Sequence, residues 1–130
     1  MRPDTQNWIA SAEYDLETAR HMLATRRFIY VVFMCHLAVE KMLKAHVAEV
    51  TRTIPTKTHD LIYLVKKADL ALPEPYLDFV SRINAASVPT RYPEDLERAI
   101  RNYSEMLVRE YLRQTEEVLQ WLKRHPNLQK

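Results

Sequence analysis

The chain of 130 residues contains no glycine. Glycine supplies the positive-φ positions of tight β-hairpins and the close backbone approach that phosphate-binding loops and Rossmann turns require. Its absence therefore excludes P-loop and dinucleotide-binding motifs. It also disfavours an architecture of many strands, whereas a helical bundle uses glycine only as an optional cap at helix ends.

The chain also has little cysteine, no long apolar run and no large net charge. A single cysteine excludes an internal disulfide framework and is typical of a reducing compartment. No apolar run reaches the roughly 18 residues of a membrane span, and the N-terminus MRPDTQNW lacks the apolar segment of a secretory signal. With 19 Lys and Arg against 17 Asp and Glu, bulk charge attracts neither nucleic acid nor membrane. We expect one cytoplasmic domain, residues 1–130, without a membrane partner.

Seven prolines separate the segments that can be helical. Apolar residues recur at steps of three and four in two long stretches between them. We predict long helices over about 4–25, 28–51 and 93–124, and short ones over about 59–68 and 73–86. The predicted fold class is all-α: an up-and-down antiparallel helical bundle of three long helices and two short ones.

The segment CHLAVEKMLKAH, residues 35–46, carries polar side chains inside an apolar helix. Glu40 and Lys44 stand four residues apart, an order that stabilises an exposed helix by a few tenths of a kcal/mol. Alternatively, His36, Glu40, Lys41 and Lys44 form the edge of a polar cleft in which a lysine meets phosphate. A metal site is disfavoured, because two ligands at this spacing need a third and none is obvious. Cys35 is interpreted as a small buried side chain.

Two further pairs of residues lie where predicted helices begin. His59 and Asp60 precede a helix, where free N–H groups favour anions, although Asp60 could simply cap that helix. Arg91 and Tyr92, in Arg-Tyr-Pro, could grip a phosphate and stack on a base, or could belong to an ordinary loop.

The order of these segments resembles a known family. A tryptophan near the start is followed by AEYDLETA, FMCHLAVEKMLKA, THDL and RYP before the last helix, and this series is similar to the HEPN domain, over nearly the whole chain. The resemblance implies a helical bundle, usually a homodimer, often encoded beside a minimal nucleotidyltransferase. Many such pairs are toxin and antitoxin, and many HEPN domains are metal-independent ribonucleases.

The sequence departs from the ribonuclease members at their motif. Those members carry an arginine followed by a histidine after four to six intervening residues, late in the domain. Here Arg101 is followed at the corresponding positions by Met106, Leu107 and Val108. Arg52 and His59 have a similar spacing, but they flank a proline loop elsewhere in the chain.

The resemblance and the departure together predict a nucleotide- or RNA-binding HEPN protein that acts with a minimal nucleotidyltransferase, without a catalytic residue, metal or cofactor. Two alternatives remain: an atypical ribonuclease using His36, His46 or His59, and a purely structural dimeric subunit. The predicted nucleotide- and phosphate-binding residues are His36, Glu40, Lys41, Lys44, His59, Asp60, Arg91 and Tyr92.

Overall fold

A computed structural model describes residues 1–129, which form six α-helices and one 3-10 turn with no strand among them. The helices are α1 (Pro3–Ala24), α2 (Phe28–Thr51), α3 (Leu61–Lys67), α4 (Glu74–Arg91), α5 (Leu96–Asn102) and α6 (Glu105–Arg124), and the 3-10 turn is Pro126–Leu128. The all-α helical bundle is therefore confirmed. None of the helices in residues 1–129 is both long and apolar enough to cross a membrane.

Helix α2 is the centre of the bundle. It contacts every other helix, and α1, α4 and α6 enclose it most closely. Apolar side chains surround the helix on all sides, which is the pattern of a buried helix rather than an amphipathic one. The buried polar side chains of α2 must therefore find their partners inside the protein.

Helix α4 is longer than predicted. We expected it to end near residue 86, before Pro89, but it continues through Pro89 to Arg91. Proline removes one helical hydrogen bond, yet the last turn is held by two others: the hydroxyl of buried Thr90 donates to the Ala86 carbonyl at 2.7 Å, and the Tyr92 N–H donates to the Val88 carbonyl at 2.8 Å. Arg91 is therefore a helical residue, and not part of a loop.

The predicted helix over 93–124 is in fact two helices. Asp95 caps α5, and Ser104 caps α6 by accepting the Leu107 N–H at 3.3 Å. The break leaves Leu96, Ile100 and Leu107 exposed, although their spacing had placed them on a buried face. The C-terminal half of the predicted face, including Val118 and Leu122, is buried as expected.

Candidate functional site

The centre of the polar cluster is the carboxylate of Glu40 on α2. Glu40 is only 3% exposed, and each of its two carboxylate oxygens accepts a hydrogen bond from a different side chain. Lys44 Nζ donates to Oε2 at 3.1 Å, and His59 Nδ1 donates to Oε1 at 2.7 Å. A buried carboxylate is stable only when it is paired in this way.

His36 lies one helical turn before Glu40 and is fully buried. Its Nε2–H donates to the backbone carbonyl of His59 at 3.1 Å, so the neutral ring has no proton left for Nδ1. That Nδ1 atom lies 3.9 Å from Glu40 Oε1 and has no hydrogen-bond partner. Burial, assisted by the positive charge of Arg91, lowers the pKa of His36 to about 4. The ring is therefore neutral at physiological pH.

The Glu40–Lys44 pair is buried, whereas both sequence interpretations assumed that it was exposed. Lys44 is 6% exposed, and its ammonium group lies 5.5 Å from the centre of the Trp8 ring as well as against Glu40. The physical reason is the central position of α2, which leaves no solvent-facing edge at these residues. Lys44 neutralises Glu40, and its charge is already satisfied inside the protein.

Two of the predicted site residues have structural partners instead of lying in the cluster. Lys41 Nζ pairs with Asp15 of α1 at 2.8 Å. Asp60 caps α3 by accepting the N–H groups of Ile62 and Tyr63, and it also accepts from Asn84 Nδ2 at 3.3 Å. These contacts favour the capping interpretation of Asp60 that the sequence had left open.

Arg91 differs from Lys44 and Lys41 because two of its N–H donors have no hydrogen-bond acceptor. The guanidinium lies over the Phe33 ring at 4.7 Å from its centre, and it is close enough to His36 to influence that ring's pKa. Two of its nitrogens, Nε and Nη2, are buried without any hydrogen-bond acceptor. Buried N–H groups of a charged side chain are rarely left unpaired, because each lost hydrogen bond costs roughly 1.5–3 kcal/mol.

Tyr92, the next residue, has different surroundings. It is 70% exposed and borders a cleft of about 420 Å³ between the end of α4 and α5, together with Tyr103 and Arg98. The structure thus brings His36, Glu40, Lys44, His59 and Arg91 into one cluster. Tyr92 lies outside that cluster, and so do Lys41 and Asp60.

Three members of this region were not identified from the sequence. Trp8 and Phe33 carried only the signal of apolar faces, which says nothing about a cation stacked upon them. Asn84 accepts the Leu61 N–H at 2.9 Å and joins α4 to the start of α3. That contact spans 23 residues of sequence, so local spacing could not have revealed it.

The region does not provide an evident metal or thiol site. Within residues 1–129, no group of three or more His, Cys, Asp and Glu side chains is placed to hold a metal ion. Cys35 is buried, and burial raises the pKa of its thiol to about 12, as for a packed side chain rather than a nucleophile.

These features define a helical-bundle protein with a charged cluster buried along its central helix. The HEPN domain family model matches residues 5–125, and the chain belongs to that family. Comparison with curated proteins found no match.

Solved structures that share the fold include the following two. One is the crystal structure of TT1696 from Thermus thermophilus, at 21% identity and a TM-score of 0.80, covering 94% of this chain and 98% of the other. The second is ST0689, described as an archaeal HEPN homologue, at 24% identity and a TM-score of 0.74, covering 95% of this chain and 97% of the other.

Proposed function

We propose that this HEPN protein binds a nucleotide or RNA through a phosphate group held by Arg91, and that it acts as the partner of a minimal nucleotidyltransferase in a toxin-antitoxin pair. The observation that carries the binding proposal is the guanidinium of Arg91, whose Nε and Nη2 have no acceptor. Phosphate oxygens match the planar donor geometry of arginine. Because Nε and Nη2 are buried, the side chains that cover them must move aside before a phosphate can supply the missing acceptors.

The charges around Arg91 support an anionic ligand. Lys44 balances Glu40 at 3.1 Å, and Lys41 balances Asp15 at 2.8 Å, so these two pairs contribute no net charge. Arg91 has no ion-pair partner among residues 1–129. Its positive charge, which no acidic side chain of residues 1–129 pairs with, makes the local potential positive.

The binding test compares two arginines of the same helix. Arg82 also lies over a phenylalanine, with 5.8 Å to the Phe79 ring centre, but its Nη2 donates to Gln114 at 3.0 Å. Calorimetric titration with ATP and a short RNA should show binding to wild type, a loss of about tenfold to a hundredfold in Arg91→Ala, and no change in Arg82→Ala. Equal affinities for the three proteins would refute the role of Arg91.

The partner proposal rests on membership of the HEPN family. Its test is co-expression with a nucleotidyltransferase encoded beside this chain, followed by size-exclusion chromatography of the mixture. We expect one peak that contains both chains, and we expect the HEPN chain alone to slow growth of the host. Separate peaks at micromolar concentration would contradict the proposed complex.

A second candidate function is atypical RNA cleavage, and one contact favours it. His59 is exposed to solvent while Glu40 fixes its ring through Nδ1 at 2.7 Å, an arrangement typical of a general base. In this scheme His59 Nε2 would take the proton of a ribose 2′-hydroxyl while that oxygen attacks phosphorus. The bond from phosphorus to the 5′-oxygen would break, water would supply the proton of the leaving 5′-hydroxyl, and a 2′,3′-cyclic phosphate would remain. Labelled RNA should then be cut by wild type and by His21→Ala, but not by His59→Ala. His21 is the control because its exposed ring pairs with Glu17, away from the cluster. Intact RNA with wild type would exclude this candidate.

A further inference from the structure

A second groove lies away from Arg91, between the start of α4 and the end of α6. It has a volume of about 370 Å³, within the range of roughly 300–1,000 Å³ that is usual for small-molecule sites. Tyr76 borders it on one side, and Trp121, Arg124 and His125 border it on the other. None of these residues belongs to the cluster around Glu40.

The aromatic rings that line this groove are held in place by contacts with one another and with the core. Trp121 lies 6.5 Å from Tyr76 at an interplanar angle of 68°, and 5.4 Å from His125 at 54°. Tyr76 and Trp121 also pack against the hydrophobic core, which limits their movement. Aromatic surfaces held in this manner offer a face on which a flat ligand can stack.

His125 is fixed by the residues behind it. Its Nδ1 accepts the Asn127 N–H at 3.1 Å, and its ring packs at 5.3 Å against buried His46. His46 in turn donates from Nε2 to the Leu122 carbonyl at 2.8 Å. Because Nδ1 of His125 is an acceptor, the neutral ring carries its proton on Nε2, which has no partner within residues 1–129.

The groove has three unfilled donor groups, beside the Gln120 amide and the Tyr76 hydroxyl, which can both donate and accept. The Trp121 indole N–H, the His125 Nε2–H and the guanidinium of exposed Arg124 all lack a hydrogen-bond partner in the described chain. The carboxylate of Glu117, at the edge of the groove, is already paired with Arg113 at 2.6 Å. A ligand that suits these groups is flat, rich in acceptors and negatively charged, whereas an organic cation would meet the like charge of Arg124.

We propose that this groove binds a nucleobase stacked on Trp121 or Tyr76, with the adjoining phosphate on Arg124. The site is distinct from the proposed phosphate site at Arg91 and does not depend on it. The base and phosphate could belong to a mononucleotide or to a single-stranded RNA, which present the same chemistry to the groove.

The test uses the tryptophan of the groove as its own reporter. The chain has two tryptophans, so Trp8→Phe leaves Trp121 as the only one. We expect AMP and a short oligoadenylate to quench its emission saturably, and ribose 5-phosphate, which lacks the base, to bind at least tenfold more weakly. If the oligoadenylate binds more tightly than AMP, the ligand is a nucleic-acid strand. If AMP binds more tightly, the ligand is a mononucleotide.

Calorimetry on proteins that retain Trp8 gives a measurement independent of that substitution. In the Arg91→Ala background, which lacks the first proposed site, Arg124→Ala should weaken AMP binding about tenfold, because one charge-assisted contact is lost. Lys123→Ala is the matched control, since the neighbouring lysine pairs with Glu13. Arg91→Ala should retain the quenching of Trp121, which separates this site from the first one. Unchanged emission at millimolar AMP, or equal affinity for AMP and ribose 5-phosphate, would overturn the proposal.

Discussion

Lys44 is the residue whose role the structure changes most. The sequence allowed it to be a surface cation that meets phosphate, but the structure buries it between Glu40 and Trp8. The difference matters because removal of one member of a buried ion pair leaves the other charge without compensation, whereas an exposed pair contributes little.

We expect Lys44→Ala to lower the free energy of unfolding by about 3–5 kcal/mol. Arg101→Ala is the control, because Arg101 pairs with Glu97 in a solvent-exposed pair on α5, and it should cost less than about 1 kcal/mol. Urea denaturation of the three proteins provides the measurement. The double substitution Glu40→Gln with Lys44→Met should recover part of the loss, since neither residue of the pair then carries a charge. A Lys44→Ala protein as stable as wild type would contradict the burial.

Two buried histidines should make the protein sensitive to acid. Burial lowers the pKa of both His36 and His46 from 6.5 to about 4, so the unfolded chain binds more protons than the folded chain between these values. Stability should therefore fall as the pH falls from 6.5 towards 4, by about 1.4 kcal/mol per pH unit for each histidine. Their contribution should be constant above pH 6.5, where both states are neutral.

The measurement is urea denaturation at several pH values between 4 and 7. His46→Gln should reduce the pH slope by about 1.4 kcal/mol per pH unit, the contribution of one histidine, because only His36 then remains as a buried histidine with this shift. Other groups add their own pH dependence, but they are common to both proteins. If the pH slope is the same in His46→Gln and wild type, the pKa of His46 is not lowered by burial as proposed.

At the scale of helices, the lack of glycine has a measurable consequence at the end of α2. Arg52 adopts φ 56° and ψ 33°, the left-handed conformation that normally selects glycine after a helix. Its N–H donates to the Ala48 carbonyl at 2.9 Å, which closes the last turn. A residue with a Cβ in this conformation costs roughly 1 kcal/mol or more.

We expect Arg52→Gly to raise the free energy of unfolding by about 0.5–1 kcal/mol, since it removes that strain at an exposed position. Arg52→Ala changes the same side chain but retains the Cβ, so it should not stabilise the protein. Thermal melts of both variants against wild type test this difference. If alanine and glycine gave the same melting temperature, the backbone strain would not be the cause.

Helix boundaries show what could be predicted from the sequence. The first two helices were found nearly to the residue, because long apolar periodicity and the polar link Thr25-Arg26-Arg27 are local signals. Ser104 was missed as a cap, since its neighbours continue the apolar spacing on both sides. Pro89 was taken as a stop, although a proline in the last turn sacrifices only one hydrogen bond.

For the candidate site too, features set by local spacing could be predicted from the sequence, and features set by distant contacts could not. His36, Glu40 and Lys44 share one helix, so their proximity could be predicted from spacing alone. Whether they faced solvent or the core depended on α1 and on the segment before α3, which approach from far away in sequence. The unfilled donors of Arg91 and the stacking of its guanidinium on Phe33 required the tertiary structure for the same reason.

At the scale of the whole molecule, an apolar surface on and beside α5 is left uncovered in the described chain. On α5, Leu96 is 55% exposed and Ile100 is 52% exposed, and Tyr30 at the start of α2 lies beside them around a groove of about 200 Å³. Apolar side chains grouped in this manner mark an interaction surface more often than scattered ones do. We propose that a second copy of the chain covers this surface in a two-fold homodimer, the assembly that the family resemblance implies.

Light scattering at micromolar concentration should give a mass about twice the 15.4 kDa of a single chain. Ile100→Asp places a charge in the centre of the proposed interface and should shift the protein to the mass of one chain. Ile54→Asp is the control, because Ile54 is even more exposed but lies in the loop before α3, and it should leave the mass unchanged. A wild-type mass of one chain would contradict the homodimer, and a dimer that survives Ile100→Asp would mean that the copies meet through another surface.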